Sequence, residues 1–289
     1  MANKTESMNI TFEGNSHQVD ANTLINALIH YQTIINETNR IYGGGTREIK
    51  MQVNAPREGS FVIDISLIDT LKNIFSVNSV AYISGLVVII DGVIRTYQHF
   101  KGKRVKEGDI TINGDLIINQ QIMQVYNNRV VREAISKSIE NAQADGNVDG
   151  FSVTAANNKT TFERKDFTDY IYDEFDSEDV LPDERVVEED ALLSITSLSF
   201  EPKSKWKFIY NGFYISASIK DELLMEVIDK GERFGKGDAL KVKLRVTQKY
   251  EKTCHAYYNS SYSVIEFYEH IQAPQQSKIE FKTDDTTPR

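Results

Sequence analysis

The hexapeptide Asp145-Gly146-Asn147-Val148-Asp149-Gly150 comes nearest to chemistry in its residue types and spacing. It matches the opening of an EF-hand calcium loop, D-x-[DN]-x-[DN]-G, and follows an expected helix. A bidentate carboxylate at loop position 12 closes the calcium coordination sphere. That position is Ala156 here, and the next residues carry a strand pattern, so the expectation is a polar turn. His17, His30, His99, His255 and His270 share no zinc-site spacing, and the adjacent pair Cys254-His255 has no second pair to complete a tetrahedron. Neither Gly43-Gly44-Gly45 nor Gly235-Lys236-Gly237-Asp238 has the strand–glycines–helix order of a phosphate loop. Cys254 has no activating neighbour in sequence and reads as a partly buried thiol. Carboxylates are plentiful without forming a matched acid–base pair. No catalytic residue, metal ligand or cofactor is assigned, and a non-enzymatic protein is expected.

Two constellations remain. The first is residues 73–94, NIFSVNSVAYISGLVVIIDGVI, in which 18 residues pass between Lys72 and Asp91 without a charge. That is the borderline length for crossing a bilayer. Gly85 and Gly92 would permit close helix approach, and Arg95, His99, Lys101, Lys103, Arg104 and Lys106 supply the basic flank expected on a cytoplasmic side. Asn73, Ser76, Asn78, Ser79 and Ser84 dilute the hydrophobicity, and Asp91 is costly in lipid. At roughly 100° per residue, Asn73, Ser84 and Asp91 share a narrow helical sector, with Ser76 and Arg95 near its edges. Such a helix could show a polar stripe to a wet pore and an apolar arc, including Leu86 and Val88, to lipid. In a resting soluble protein the same arc would pack against the N-terminal sheet. Core helix, conditionally inserted helix and permanent span all stay open.

The second constellation interleaves aromatic and basic residues in KSKWKFIYNGFYISASIK and KVKLRVTQKY. Trp206, Phe208, Tyr210, Phe213 and Tyr214 could stack bases while Lys203, Lys205, Lys207, Lys241, Lys243 and Arg245 track phosphates. Plain strand alternation yields the same pattern, with Trp206, Phe208 and Tyr210 in a core and the lysines in water. The alternation is the better reading, so nucleic acid is not the expected partner.

Composition agrees. The 289 residues carry 42 acidic against 33 basic side chains, a formal net charge of -9, which opposes coating nucleic acid by overall charge. A single cysteine allows no intrachain disulfide. The opening MANKTESMNITFEGN lacks the apolar core of a signal peptide, so a cytoplasmic location is expected, with inner-membrane association on activation.

The elements that would position these residues read as α+β. MNITFEG alternates as a strand, and Asn22 is the expected N-cap of a helix over TLINALIHYQTIINETNRIY, closed by Gly43-Gly44-Gly45. REIKMQV and GSFVIDISLI suggest a hairpin around Pro56 and Gly59. One long helix is expected from about Asp115 to Ala144, then strands FSVTA and KTTFER. Between Glu163 and Asp190 stand 13 acidic and three basic residues, an acidic linker or helix. Beyond it, three strands, a helix capped by Asp221 and two more strands give the element order of an OB-like barrel, with Asn211-Gly212 as a hairpin turn. The expected divisions are an N-terminal domain over 1–162 holding the apolar segment, the acidic stretch 163–190, a barrel over 191–271 and a flexible tail over 272–289.

The frame ITFEG, NRIY, NAPREGSFVIDISLI, the glycine-containing apolar stretch, SFEPKSKWKF, ISASIKDELLMEVIDKGERFGKGDALKVKLRV and IEFYEH resembles a family of mostly uncharacterised bacterial proteins of similar length, found on chromosomes, prophages and other mobile elements. The resemblance spans most of the chain, the acidic middle least, and brings no enzymatic motif. It implies phage defence: a homo-oligomer triggered by a phage structural protein that perturbs the inner membrane through residues 73–94. The alternative is a cytoplasmic module whose barrel binds single-stranded nucleic acid or a protein.

Overall fold

The computed structural model describes residues 7–14, 18–44, 47, 49–54, 61–69, 79–105, 118–177, 181–199, 201 and 204–273. The N-terminal unit is built on a five-stranded antiparallel sheet of order β2-β3-β1-β4-β5. Its strands are β1 (Ser7–Glu13), β2 (Ile49–Val53), β3 (Phe61–Asp69), β4 (Gly150–Ala155) and β5 (Asn158–Glu163). Ile10 at the centre faces Ile63 on one side and Val153 on the other, so period-two alternation aims Met8, Ile10 and Phe12 at one buried face. The β4–β5 hairpin turns at Ala156 and Asn157, both at positive φ, which leaves the hexapeptide before β4 in a loop. Asp145 there accepts from the backbone N–H groups of Asp20 and Asn147, and the loop is the polar turn expected.

Helices cover the sheet. They are α1 (Ala21–Gly43), α2 (Ser79–Phe100), α3 (Gln120–Tyr126), α4 (Arg129–Ala144) and the single turn α5 (Phe167–Tyr170). Two sequence expectations need correction. Helix α1 starts earlier than expected: its N-cap is Asp20, whose carboxylate accepts from Asn22 N–H at 2.8 Å. The single helix expected from Asp115 is two helices, and its expected first residues lie outside the described ones. The break falls at Asn127-Asn128 because both side chains bind backbone: Asn127 exchanges hydrogen bonds with Val105, and Asn128 caps α4 through Val130 N–H.

The acidic stretch 163–190 is shared between the two cores rather than standing apart. Phe167 and Phe175 are buried in the N-terminal unit, Phe175 beneath the guanidinium of Arg132. From Glu184 onward the chain is already barrel strand. The barrel comprises β6 (Glu184–Ser197), β7 (Lys205–Tyr210), β8 (Phe213–Ile219), β9 (Ala239–Glu251) and β10 (Ala256–Ile271), with α6 (Glu222–Asp229) between β8 and β9. It closes in the order β10-β8-β7-β6-β9, with β8 and β10 parallel and the remaining pairs antiparallel. That is the five-stranded OB-like arrangement the element order implied. Asn211 and Gly212 turn the β7–β8 hairpin at φ 52° and 80°, and Asp221 caps α6 through Leu224 N–H.

Candidate functional site

Three regions bear on function: helix α2, the barrel surface and the cleft between the two units. In α2 every residue from Ile89 to Ile94 is buried, and the helix packs against α1, α3, α4 and strands β3, β4 and β5. Leu86 has no exposed surface, whereas Val88 and Val80 keep about half of theirs. Each glycine faces a neighbouring helix: Tyr42 of α1 lies where a Cβ of Gly85 would sit, and Ile122 Cδ1 stands 2.4 Å from the corresponding position at Gly92. Of the polar stripe, Asp91 is withheld from water. Asp91 is 6% exposed, accepts from Asn158 Nδ2 at 2.8 Å and lies 3.9 Å from Arg95. One turn on, Gln98 donates to the Thr161 carbonyl at 2.7 Å. So Asp91 and Gln98 are seated on β5 at the sheet edge. Burial raises the Asp91 pKa, and the Asn158 amide and Arg95 only partly offset that. Ser84 is half-buried, and Asn73 lies outside the described residues.

In the barrel, alternation decides the outcome for the aromatic–basic pattern. Trp206, Phe208 and Tyr210 point inward at 2%, 0% and 4% exposure, and Trp206 Nε1 donates to the Ser199 carbonyl. Trp206 therefore belongs to the core and cannot join Lys205 and Lys207 in a stacking face. On β9, Lys243 stands opposite Asp190 and Glu266, and Arg245 opposite Glu188. Arg245 and Glu188 pair at 2.8 Å, Lys243 and Glu266 at 3.8 Å. Lys241 lies opposite Glu269. These cations sit in a cross-strand charge ladder, not in a bare basic patch. Phe213 and Tyr214 are the aromatics that do face solvent, at 72% and 79% exposure.

The region that sequence reasoning missed is a cleft of about 570 Å³ between α1 and the barrel mouth. Its organising residue is Glu37 of α1, which accepts from Arg185 of β6, Arg40 and Asn128. Burial pushes Glu37 up, but Arg185 and Arg40 outweigh it and hold the group below the usual carboxylate range. Arg185 also stacks on Tyr257 at 3.9 Å. A second seam joins α4 to the β9–β10 turn, where Glu133 contacts His255 Nδ1 at 2.8 Å and Tyr250 Oη at 3.2 Å. Near it, burial pulls His30 down to about 4. No periodicity announces these pairs, because their members lie more than a hundred residues apart. Among the described residues no group of three or more His, Cys, Asp or Glu is placed to hold a metal ion. Comparison with known protein families, curated proteins and solved structures finds no match to this chain.

Proposed function

We propose that the protein is a non-enzymatic bacterial anti-phage effector. It rests as a soluble cytoplasmic protein, oligomerises when a phage protein triggers it, and perturbs the inner membrane through the segment 73–94. The observation carrying this reading is α2, the one helix among the described residues long and apolar enough to cross a membrane, at a mean hydropathy of 1.6. A core helix of a soluble protein passes the same test, so the energetics decide how it could act. Withdrawing Ile83, Leu86, Val87, Ile89, Ile90, Val93 and Ile94 from the core costs on the order of 10–20 kcal/mol at about 1.5–3 kcal/mol each. That rivals the whole stability of a domain. Release therefore requires a trigger and a bilayer that takes up the same apolar surface.

Leakage of dye from anionic liposomes, with and without candidate phage proteins, tests this. Val88→Lys is the informative variant, because Val88 is already half exposed in the folded protein. A lysine there is tolerated at rest and costs about 2.5–3.5 kcal/mol at the centre of a membrane helix. Triggered leakage lost in Val88→Lys supports the reading; leakage unchanged by it sinks the reading.

A second reading, a binding module using the barrel's outer face, is favoured by the exposure of Tyr214, which stands diagonal to Lys207 across the β7–β8 pair. It predicts salt-sensitive oligonucleotide binding weakened by Tyr214→Ala and Lys207→Ala.

A further inference from the structure

At the barrel mouth one carboxyl has no ion-pair partner among the described residues. Glu189 continues the inward-facing row of β6 that leads through Ala191, Leu193 and Ile195 into the core, and it lines the cleft beside α1. Tyr210 donates its hydroxyl to Glu189 at 2.8 Å, and among the described residues no ion pair reaches this carboxyl. Asn211, on the adjoining hairpin turn, lines the same cleft, and its buried Oδ1 accepts no hydrogen bond among the described residues. The rings of Tyr210 and Tyr262 meet edge to face with centroids 6.3 Å apart, and Phe213 stands at the rim.

We infer that the barrel mouth is a binding site for an organic cation, an ammonium or guanidinium group. Glu189 and Asn211 Oδ1 accept its N–H groups, and the rings of Tyr210, Tyr262 and Phe213 flank it. A carboxyl with one tyrosine donor and no ion pair, beside an amide oxygen with no donor among the described residues, calls for a ligand that brings several donors and a positive charge. Aromatic faces attract such a group through their quadrupoles, most strongly where water is excluded. A hard metal ion would need more oxygen ligands than one carboxylate and one amide provide. The cleft's own guanidinium groups are engaged elsewhere: Arg40 and Arg185 with Glu37, and Arg47 with Asp69. The cavity is far larger than a single ammonium, so the cation can arrive on a small molecule or as a side chain of a peptide.

Proton linkage gives the site a signature. Burial raises the Glu189 pKa, and the Tyr210 hydroxyl only partly offsets it. A bound cation favours the carboxylate and so drives off any proton the free site holds. Affinity therefore falls as pH drops through the raised pKa.

Calorimetric titration of the full chain with methylguanidinium, tetramethylammonium and a blocked arginine-containing tripeptide, across a pH series from about 4.5 to about 8, tests this. Wild type should bind at least one of these probes, more tightly at higher pH. Glu189→Gln, which keeps an acceptor for Tyr210, should weaken binding about tenfold, and Phe213→Ala should weaken it about threefold without disturbing the fold. Tripeptide binding well above that of methylguanidinium assigns the site to a protein partner, and equal binding assigns it to a small cation. Absence of binding by all three probes, or equal affinity in wild type and Glu189→Gln, overturns the inference. The outcome is independent of whether α2 enters membranes.

Discussion

Asp91 in the N-terminal unit and Glu189 at the barrel mouth are both carboxyls whose pKa burial raises, and the two are treated differently. Asp91 in the N-terminal core has two groups that favour its anion, the Asn158 amide and the Arg95 guanidinium. Glu189 at the barrel mouth has a tyrosine hydroxyl. Burial raises both pKa values, so the contrast lies in compensation. A carboxylate whose partners come from its own fold reads as structural. One that is desolvated and left without a cation, at the wall of a cleft, reads as a place for a ligand. The same comparison separates Asp91 on α2, which the sheet edge already serves, from the barrel mouth, where among the described residues Glu189 has no ion pair and Asn211 Oδ1 no donor.

The sharpest test of the N-terminal half is the pair Leu86→Lys and Val88→Lys, two residues apart on one helix. Leu86 lies at full burial, so a lysine there leaves an uncompensated charge in the core and should cost upward of about 4 kcal/mol, abolishing the cooperative unfolding of this unit in urea. Val88→Lys should fall within about 0.5 kcal/mol of wild type. Equal effects would mean that α2 is not seated as described.

Next in size is Asn158→Ala. Removing the amide leaves Asp91 buried with only a distant guanidinium, which should cost about 1–3 kcal/mol. It should also push the Asp91 pKa further up. A group whose folded pKa is raised contributes stability at low pH that is lost as pH rises through the folded value. The variant should therefore lose relatively more stability than wild type as pH rises from the ordinary carboxyl value through the raised one, as read by urea titrations at several pH values. A pH-independent loss would show that Asn158 acts on the hairpin turn alone.

Glu189→Gln carries the opposite sign. Wild type should lose stability as pH rises through the raised Glu189 pKa, because ionisation then occurs without a countercharge. The amide cannot ionise, so the variant should be more stable than wild type above the raised pKa, and the difference should shrink as pH falls below the ordinary carboxyl value. A destabilised variant above the raised pKa would show that a protein cation not seen here already serves this carboxylate.

Much of the architecture was legible because it is written in local pattern. Alternation in KWKFIY and ALKVKLRV fixed which faces are core, and Asn211-Gly212 and Asp221 marked a turn and a cap by their own chemistry. Locally ambiguous signals were misplaced: Asn22 and Asp20 are both good caps, and the Asn127-Asn128 break hides inside a continuous apolar period. The stripe on α2 was visible as a stripe, but period alone cannot tell water from the side of a hairpin. Glu37, Glu133 and Glu189 were invisible as a set. The partners of Glu37 and Glu133 are brought to them by the docking of the barrel on α1 and α4, and Glu189 meets Tyr210 through closure of the barrel; no window of sequence contains either event.

The smallest effect is expected on the barrel's outer face. Arg245 and Glu188 pair at 2.8 Å across β9 and β6, yet each side chain keeps more than two fifths of its surface in water. High dielectric weakens their attraction, and ordering two long side chains consumes much of what remains. Arg245→Ala should therefore shift stability by about 0.5 kcal/mol or less, and salt should shrink even that. This near-silence is informative, since the Arg245 pair is about as short as the contact Asp91 makes with Asn158. If Arg245→Ala costs as much as Asn158→Ala, proximity rather than burial sets the value of a polar contact here, and the distinction between the satisfied carboxylate of α2 and the unsatisfied one of the barrel loses its basis.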